Sequence, residues 1–135
     1  MRYPCIALLL ILFIGCQHTQ TPATAGLSFT TDGTQYASGA VVQLQLDNQT
    51  AETMGYNLCF ATLQRQIGQS WEPVEDPDTV CTTIQHGLPP GDTATFEKTL
   101  MGDLPDGTYR FMTEAEHRDG NRRETLVTNA FSVES

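Results

Sequence analysis

The sequence predicts an all-β sandwich of about seven short strands, and three observations carry that prediction. From residue 27 onward, apolar and polar residues alternate with a period of two. Turn residues interrupt the alternation at roughly 8–12-residue intervals, the spacing of sandwich strands. No segment sustains the 3.6-residue apolar period of an amphipathic helix. A length of 135 residues is that of one domain. A composition 39% hydrophobic and 17% charged excludes both a disordered chain and a coiled coil.

Residues 27–30 (LSFT) read as a short edge strand with Leu27 and Phe29 on one face. Residues 31–34 (TDGT) turn the chain. Residues 40–47 (AVVQLQLD) place Val42, Leu44 and Leu46 inward and Gln43 and Gln45 outward. After a turn at 48–53, residues 56–63 (YNLCFATL) read as one strand. Tyr56, Leu58 and Phe60 lie on one of its faces and Cys59, Ala61 and Leu63 on the other. Residues 64–70 contain Gly68 and make a hairpin turn from which 71–74 pair back. Residues 75–78 (EDPD) form a loop, and 79–85 form another strand carrying Cys81. The breaker at 86–92 (HGLPPGD) leads to a strand at 93–100 with Phe96 inward. Residues 102–107 (GDLPDG) make a corner, and 108–117 bury Tyr109, Phe111, Thr113 and Ala115. Asp119-Gly120-Asn121 is a hairpin turn, and 125–133 close the domain with Val127, Phe131 and Val133 inward.

The corner Leu104-Pro105-Asp106-Gly107-Thr108-Tyr109 resembles the tyrosine corner of immunoglobulin-like domains, with Tyr109 bonding back to the preceding loop. Phe111 occupies the place of the second cysteine of antibody domains. With Leu58-Cys59-Phe60, Trp71-Glu72-Pro73-Val74, Leu88-Pro89-Pro90-Gly91 and Asn129-Ala130-Phe131-Ser132-Val133, the chain resembles the bacterial Ig-like domains of small exported lipoproteins. The resemblance covers most of residues 36–134. It implies an immunoglobulin-like antiparallel β-sandwich over 27–135 and a surface location, without an active site. A neighbouring resemblance is to bacterial proteinase inhibitors built on the same kind of sandwich.

The N-terminus carries an address. Arg2 precedes a nine-residue apolar run, Ile6 to Ile14, which suits a secretory signal and is too short to span a bilayer. Leu12-Phe13-Ile14-Gly15-Cys16 resembles a bacterial lipobox, although Phe13 stands where leucine is usual. The resemblance implies removal of residues 1–15 and acylation of Cys16, with palmitate among the chains added. Two or more acyl chains hold a protein at a bilayer stably, at about 0.8 kcal/mol per buried CH₂. Residues 16–26 then serve as a flexible tether, polar and threonine-rich. Gln17, not Asp, follows the cysteine, which implies the outer membrane if the host is Gram-negative.

The whole chain has 7 basic and 16 acidic residues, a net charge of −9. Loss of Arg2 with the signal takes the side-chain sum to −10, with Lys98 the sole lysine. Such a chain is a poor ligand for nucleic-acid phosphates. The acids are spread along the sequence, so solubility at an exposed surface explains them before a cationic partner does. Of four cysteines, Cys5 lies in the signal and Cys16 at the acylation site, leaving Cys59 and Cys81. In an exported domain that pair reads as a disulfide joining neighbouring strands at one side of the sandwich.

No catalytic constellation is present. None of the serines sits in a G-x-S-x-G elbow. His18, His86 and His117 read as surface histidines. The binding candidates are few. Glu75, Asp76 and Asp78 offer oxygen ligands of the kind Ca²⁺ takes. They lack the spaced D-x-D-x-D-G pattern, and Pro77 interrupts them. Trp71 is either sheet packing or, if exposed, a protein or carbohydrate contact. Pro89 and Pro90 stiffen the segment best suited to a protease-inhibiting loop at 86–92. Arg118, Arg122 and Arg123 form the one basic cluster. The expected activity is therefore contact without catalysis, cofactor or metal. The bilayer is reached through Cys16, and the partner is an envelope protein or polymer. Proteinase inhibition is the second expectation.

Overall fold

The computed structural model describes residues 26–135; the signal at 1–15, the acylation site Cys16, His18 and nearly all of the tether lie outside the described residues. Among the described residues, eleven strands make two sheets packed face to face. The smaller sheet has the order β1 (Leu27–Thr31), β3 (Val41–Asn48), β8 (Thr93–Thr99). The larger is built around β9 (Gly107–Glu116). On one flank of β9 lie β10 (Arg123–Val127) and β11 (Phe131–Glu134), in line. On the other lie β4 (Met54–Tyr56) and β5 (Thr62–Ile67), also in line. Three short strands flank these: β2 (Gln35–Ala37) beside β11, β6 (Ser70–Pro73) beside β5, and β7 (His86–Leu88) beside β4. Every pairing is antiparallel except β2 with β11, which is parallel. The architecture is an immunoglobulin-like β-sandwich.

Strict alternation builds the core. Val42, Leu44 and Leu46 are wholly buried on β3, facing Tyr109 and Phe111 of β9 and Phe131 and Val133 of β11. Burying each large aliphatic side chain contributes about 1.5–3 kcal/mol. Phe131 ties the aromatic centre together, 5.8 Å from Phe111, 6.3 Å from Tyr109 and edge-on to Tyr36 at 5.2 Å. The Tyr109 hydroxyl donates to the Pro105 carbonyl at 2.6 Å, the back-bond that defines a tyrosine corner.

Several expectations need correction. Residues 56–63 are not one strand. The Asn57 side chain accepts from the Cys59 amide and donates to the Thr82 and Ile84 carbonyls, setting a single 3₁₀ turn at Leu58–Phe60. That turn breaks the alternation, burying Leu58 and leaving Phe60 54% exposed. Residues 79–85 contain no strand. Their carbonyls go to Asn57, and the strand forms later, as β7 inside the expected breaker. Val80 is consequently 92% exposed despite its β-rich surroundings. The hairpin turn expected at 64–70 is only two residues, with Gly68 at φ 61° supplying the conformation it requires.

Phe96 does face the interior row, opposite Leu44, yet stays 37% exposed because β8 is an edge strand. Val127 points outward opposite Met112, and Leu126 takes the inward place. Thr128–Ala130 interrupts the ladder between β10 and β11 and resets the phase, with Thr128 Oγ1 accepting from the Phe111 amide.

The two sides of the sandwich close differently. On one side the chain passes from β1 in the small sheet to β2 in the large one, and Asn129 bonds to Thr31 across the gap. On the other side no described strand pairs with the outer edge of β8. Here a strap at 74–85 crosses over, fastened by the Cys59–Cys81 disulfide. The bridge therefore joins a 3₁₀ turn to a strandless segment and not two neighbouring strands.

Candidate functional site

The structure separates the sequence's binding candidates into three places. Trp71 lies on the outer face of the large sheet. Glu75, Asp76 and Asp78 ride on the strap beside the last residues of β8. Pro89 and Pro90 occupy the turn leading into the first residue of β8.

The outer face is the most extensive of the three. Register decides its membership: Gln66 opposes Trp71, Gln64 opposes Arg110, and Met112 opposes both Thr62 and Val127. These positions share one side of the pleat. The Arg110 guanidinium lies 4.2 Å above the Trp71 ring, a cation–π stack. Its Nε donates to Gln64 Oε1 at 2.7 Å, and Gln64 Nε2 reaches Met112 Sδ at 3.4 Å. Trp71 is thereby half-buried by polar neighbours, with its ring orientation fixed. Next to this row the face is concave over about 600 Å³, with Phe60 and Met112 as apolar walls and Gln85, Glu114 and Arg123 as polar ones. Val127 adds a further exposed aliphatic group. The assembly offers rings, aliphatic surface and fixed hydrogen-bonding groups, which is the chemistry of protein recognition.

The acidic loop folds on itself. Asp76 accepts from the Thr79 hydroxyl and, at 3.2 Å, from the Asp78 amide. The Thr79 hydrogen bond is the main cause of a carboxyl held below the usual aspartate range. Among the described residues, no three His, Cys, Asp or Glu side chains are placed to hold a metal ion. Pro89 and Pro90 sit in a tight turn: the Asp92 amide donates to the Pro89 carbonyl, and Gly91, at φ 80°, donates to Asn48. The segment is pinned to β3 and does not project as an extended loop.

His117 is a correction. Its side chain is only 12% exposed, with Nδ1 on Glu52 and Nε2 3.8 Å from Glu124. The acids on β10 and in the turn before β4 converge on it through pairings that residue order does not reveal. Arg122 reaches the same Glu52 at 3.6 Å, and Arg123 reaches Glu114 and Glu116, so two arginines of the basic cluster are already ion-paired.

Three other residues take roles that the sequence alone does not assign. Arg110 gave no signal, because its partner is set by register. Asn48 is wholly buried and donates to the Glu52 and Leu88 carbonyls. Lys98 did carry a signal, as the sole lysine and in phase with Ala94 and Phe96 on the inward row.

The model of a family described as bacterial Ig-like domain matches residues 23–131. No curated protein matches the chain.

Proposed function

The chain belongs to the bacterial Ig-like domain family, and from that membership we propose that it is a non-enzymatic contact module held at the bacterial envelope by lipid on Cys16. The partner is an envelope protein, engaged through the outer face of the large sheet. One observation carries the choice of face. Phe60, Met112, Val127 and the Trp71–Arg110 stack converge on the same surface of a chain that is otherwise strongly acidic. Apolar and aromatic groups gathered on one face mark interaction surfaces, whereas scattered ones do not. The apolar run and the Gly15-Cys16 pair support the anchor.

The test is site-directed photocross-linking in cells that make the protein. A cross-linker replacing Met112 gives a discrete protein adduct. One replacing Gln43, exposed on the outer face of the small sheet, gives none. Adducts from both positions, or from Gln43 alone, would remove the large-sheet face from the reading.

A further inference from the structure

Lys98 stands in an unusual place. The inward row of β8 runs Ala94, Phe96, Lys98, with Leu100 following, and Lys98 lies opposite the wholly buried Val42. The pleat thus points an ammonium toward the core, where its neighbours in phase are apolar. Its Nζ donates to the Cys59 carbonyl at 2.6 Å and joins no ion pair among the described residues. The Asp76 carboxylate acts on it through space and opposes the effect of burial, while its oxygens accept hydrogen bonds from Thr79 and Asp78 and not from Lys98. Burial holds the Lys98 amine below the usual lysine range, a sign that its charge is incompletely compensated.

The ammonium opens onto a cleft of about 470 Å³ between the sheets, on the side that the strap covers. Its floor is core, Leu63, Leu100 and Phe111, and Phe60, Val74 and Met101 line its walls. A volume in the range of about 300–1,000 Å³ and an apolar floor suit a small-molecule site, and Thr62, Thr79, Thr99, Glu75, Asp76 and Lys98 supply its polar groups. An ammonium has three donors, of which the Cys59 carbonyl takes one. The remaining donors suit one carboxylate. Glu75 and Asp76 line the same cleft, and their repulsion grows with each negative charge on a ligand, which favours one charge over the two of a dianion such as phosphate.

We propose that the strap-covered cleft binds a small monocarboxylate with a compact apolar group, its carboxylate on Lys98 and its apolar part against Leu63, Leu100 and Phe111. A hydrogen bond between charged groups is stronger than one to a neutral hydroxyl, so the acid outbinds its neutral alcohol by at least about tenfold, or about 1.4 kcal/mol.

The sole lysine makes a direct test available. Labelling the full chain with ¹³C-lysine gives one side-chain resonance, that of Lys98. Titration with 3-phenylpropionate moves it saturably; 3-phenylpropanol binds at least about tenfold more weakly, and inorganic phosphate leaves it in place. Lys98→Met keeps the side-chain bulk, and ligand-observed NMR then finds acid and alcohol bound equally, while Lys98→Arg restores the preference. Equal binding of acid and alcohol to the unmodified chain, or no movement with either, overturns the proposal. So does a Lys98→Met protein that self-associates while retaining its preference for the acid. Lys98 would then be an inward charge guarding the open edge of β8 and nothing more.

Discussion

Single side chains do their largest work in this domain where they stand in for backbone. Asp32 accepts from the Tyr36 hydroxyl at 2.7 Å and the Gln43 amide at 3.0 Å, fastening the β1–β2 switch. The Tyr36 bond, then the Gln43 bond, hold its carboxyl below the usual aspartate range. A carboxyl whose folded pKa is depressed stabilises the protein above its unfolded pKa, about 3.9. That stabilisation fades as pH falls through the folded value. Asp32→Asn therefore lowers the melting temperature at pH 6, and the gap to the parent narrows below about pH 4; melting curves across pH 2–7 on both proteins check it. Asn48 works the same way with both ends of its amide, its Oδ1 taking the Thr50 amide and hydroxyl. Nothing in the sequence marks Asn48 as buried, because Asn-Gln-Thr after a strand is ordinary turn chemistry. Its role arises from bringing residue 88 to residue 48, a juxtaposition that only the folded chain creates.

At the scale of elements, the apolar inward residues of β3 and the inward set of β9 were legible, because each strand lies in the interior of a sheet and shows clean alternation; Asn48, buried at the end of β3, was not. Legibility ended at the sandwich edge. Residues 79–85 have the composition of a strand, but a strand needs a partner, and the Asn57 amide and Cys81 sulfur take this segment first. Phe96 illustrates the same limit: its phase was readable and its exposure was not, since exposure depends on whether another strand follows β8. The strap is accordingly predicted to depend on its bridge. The 22-residue separation stabilises the fold by about 3 kcal/mol on the chain-entropy model. Cys59→Ser with Cys81→Ser should lower the unfolding free energy by about that amount, measured by urea titration. Limited proteolysis should then cut first within 75–85. Unchanged stability and an uncut strap would show that packing alone holds it.

For the molecule as a whole, the fold was readable while the surfaces were not. Trp71, Asp76 and Pro89 could be named from sequence, but their distribution over one face, one edge and one end follows from topology. The anchor proposed on Cys16 concerns the whole molecule, and its test is direct. Cys16→Ala should abolish labelling by radioactive palmitate and shift the protein out of the membrane fraction; labelling that persists in this variant would place the lipid elsewhere.

Where the described chain begins also matters for that arrangement. Gly26 accepts from the Gln49 amide at 2.9 Å, and Leu27 pairs with Asn48. The N-terminal segment thus leaves the sandwich at the end that carries the Pro89–Pro90 turn and the Arg118–Arg122 hairpin. The Gly68 hairpin, Trp71 and the mouth beside Lys98 belong to the opposite end. Under the proposed anchor on Cys16, a leash fixed at this corner gives the molecule a base and a summit: the proline turn lies on the tether's side, and the aromatic stack and the lysine cleft lie on the side away from it.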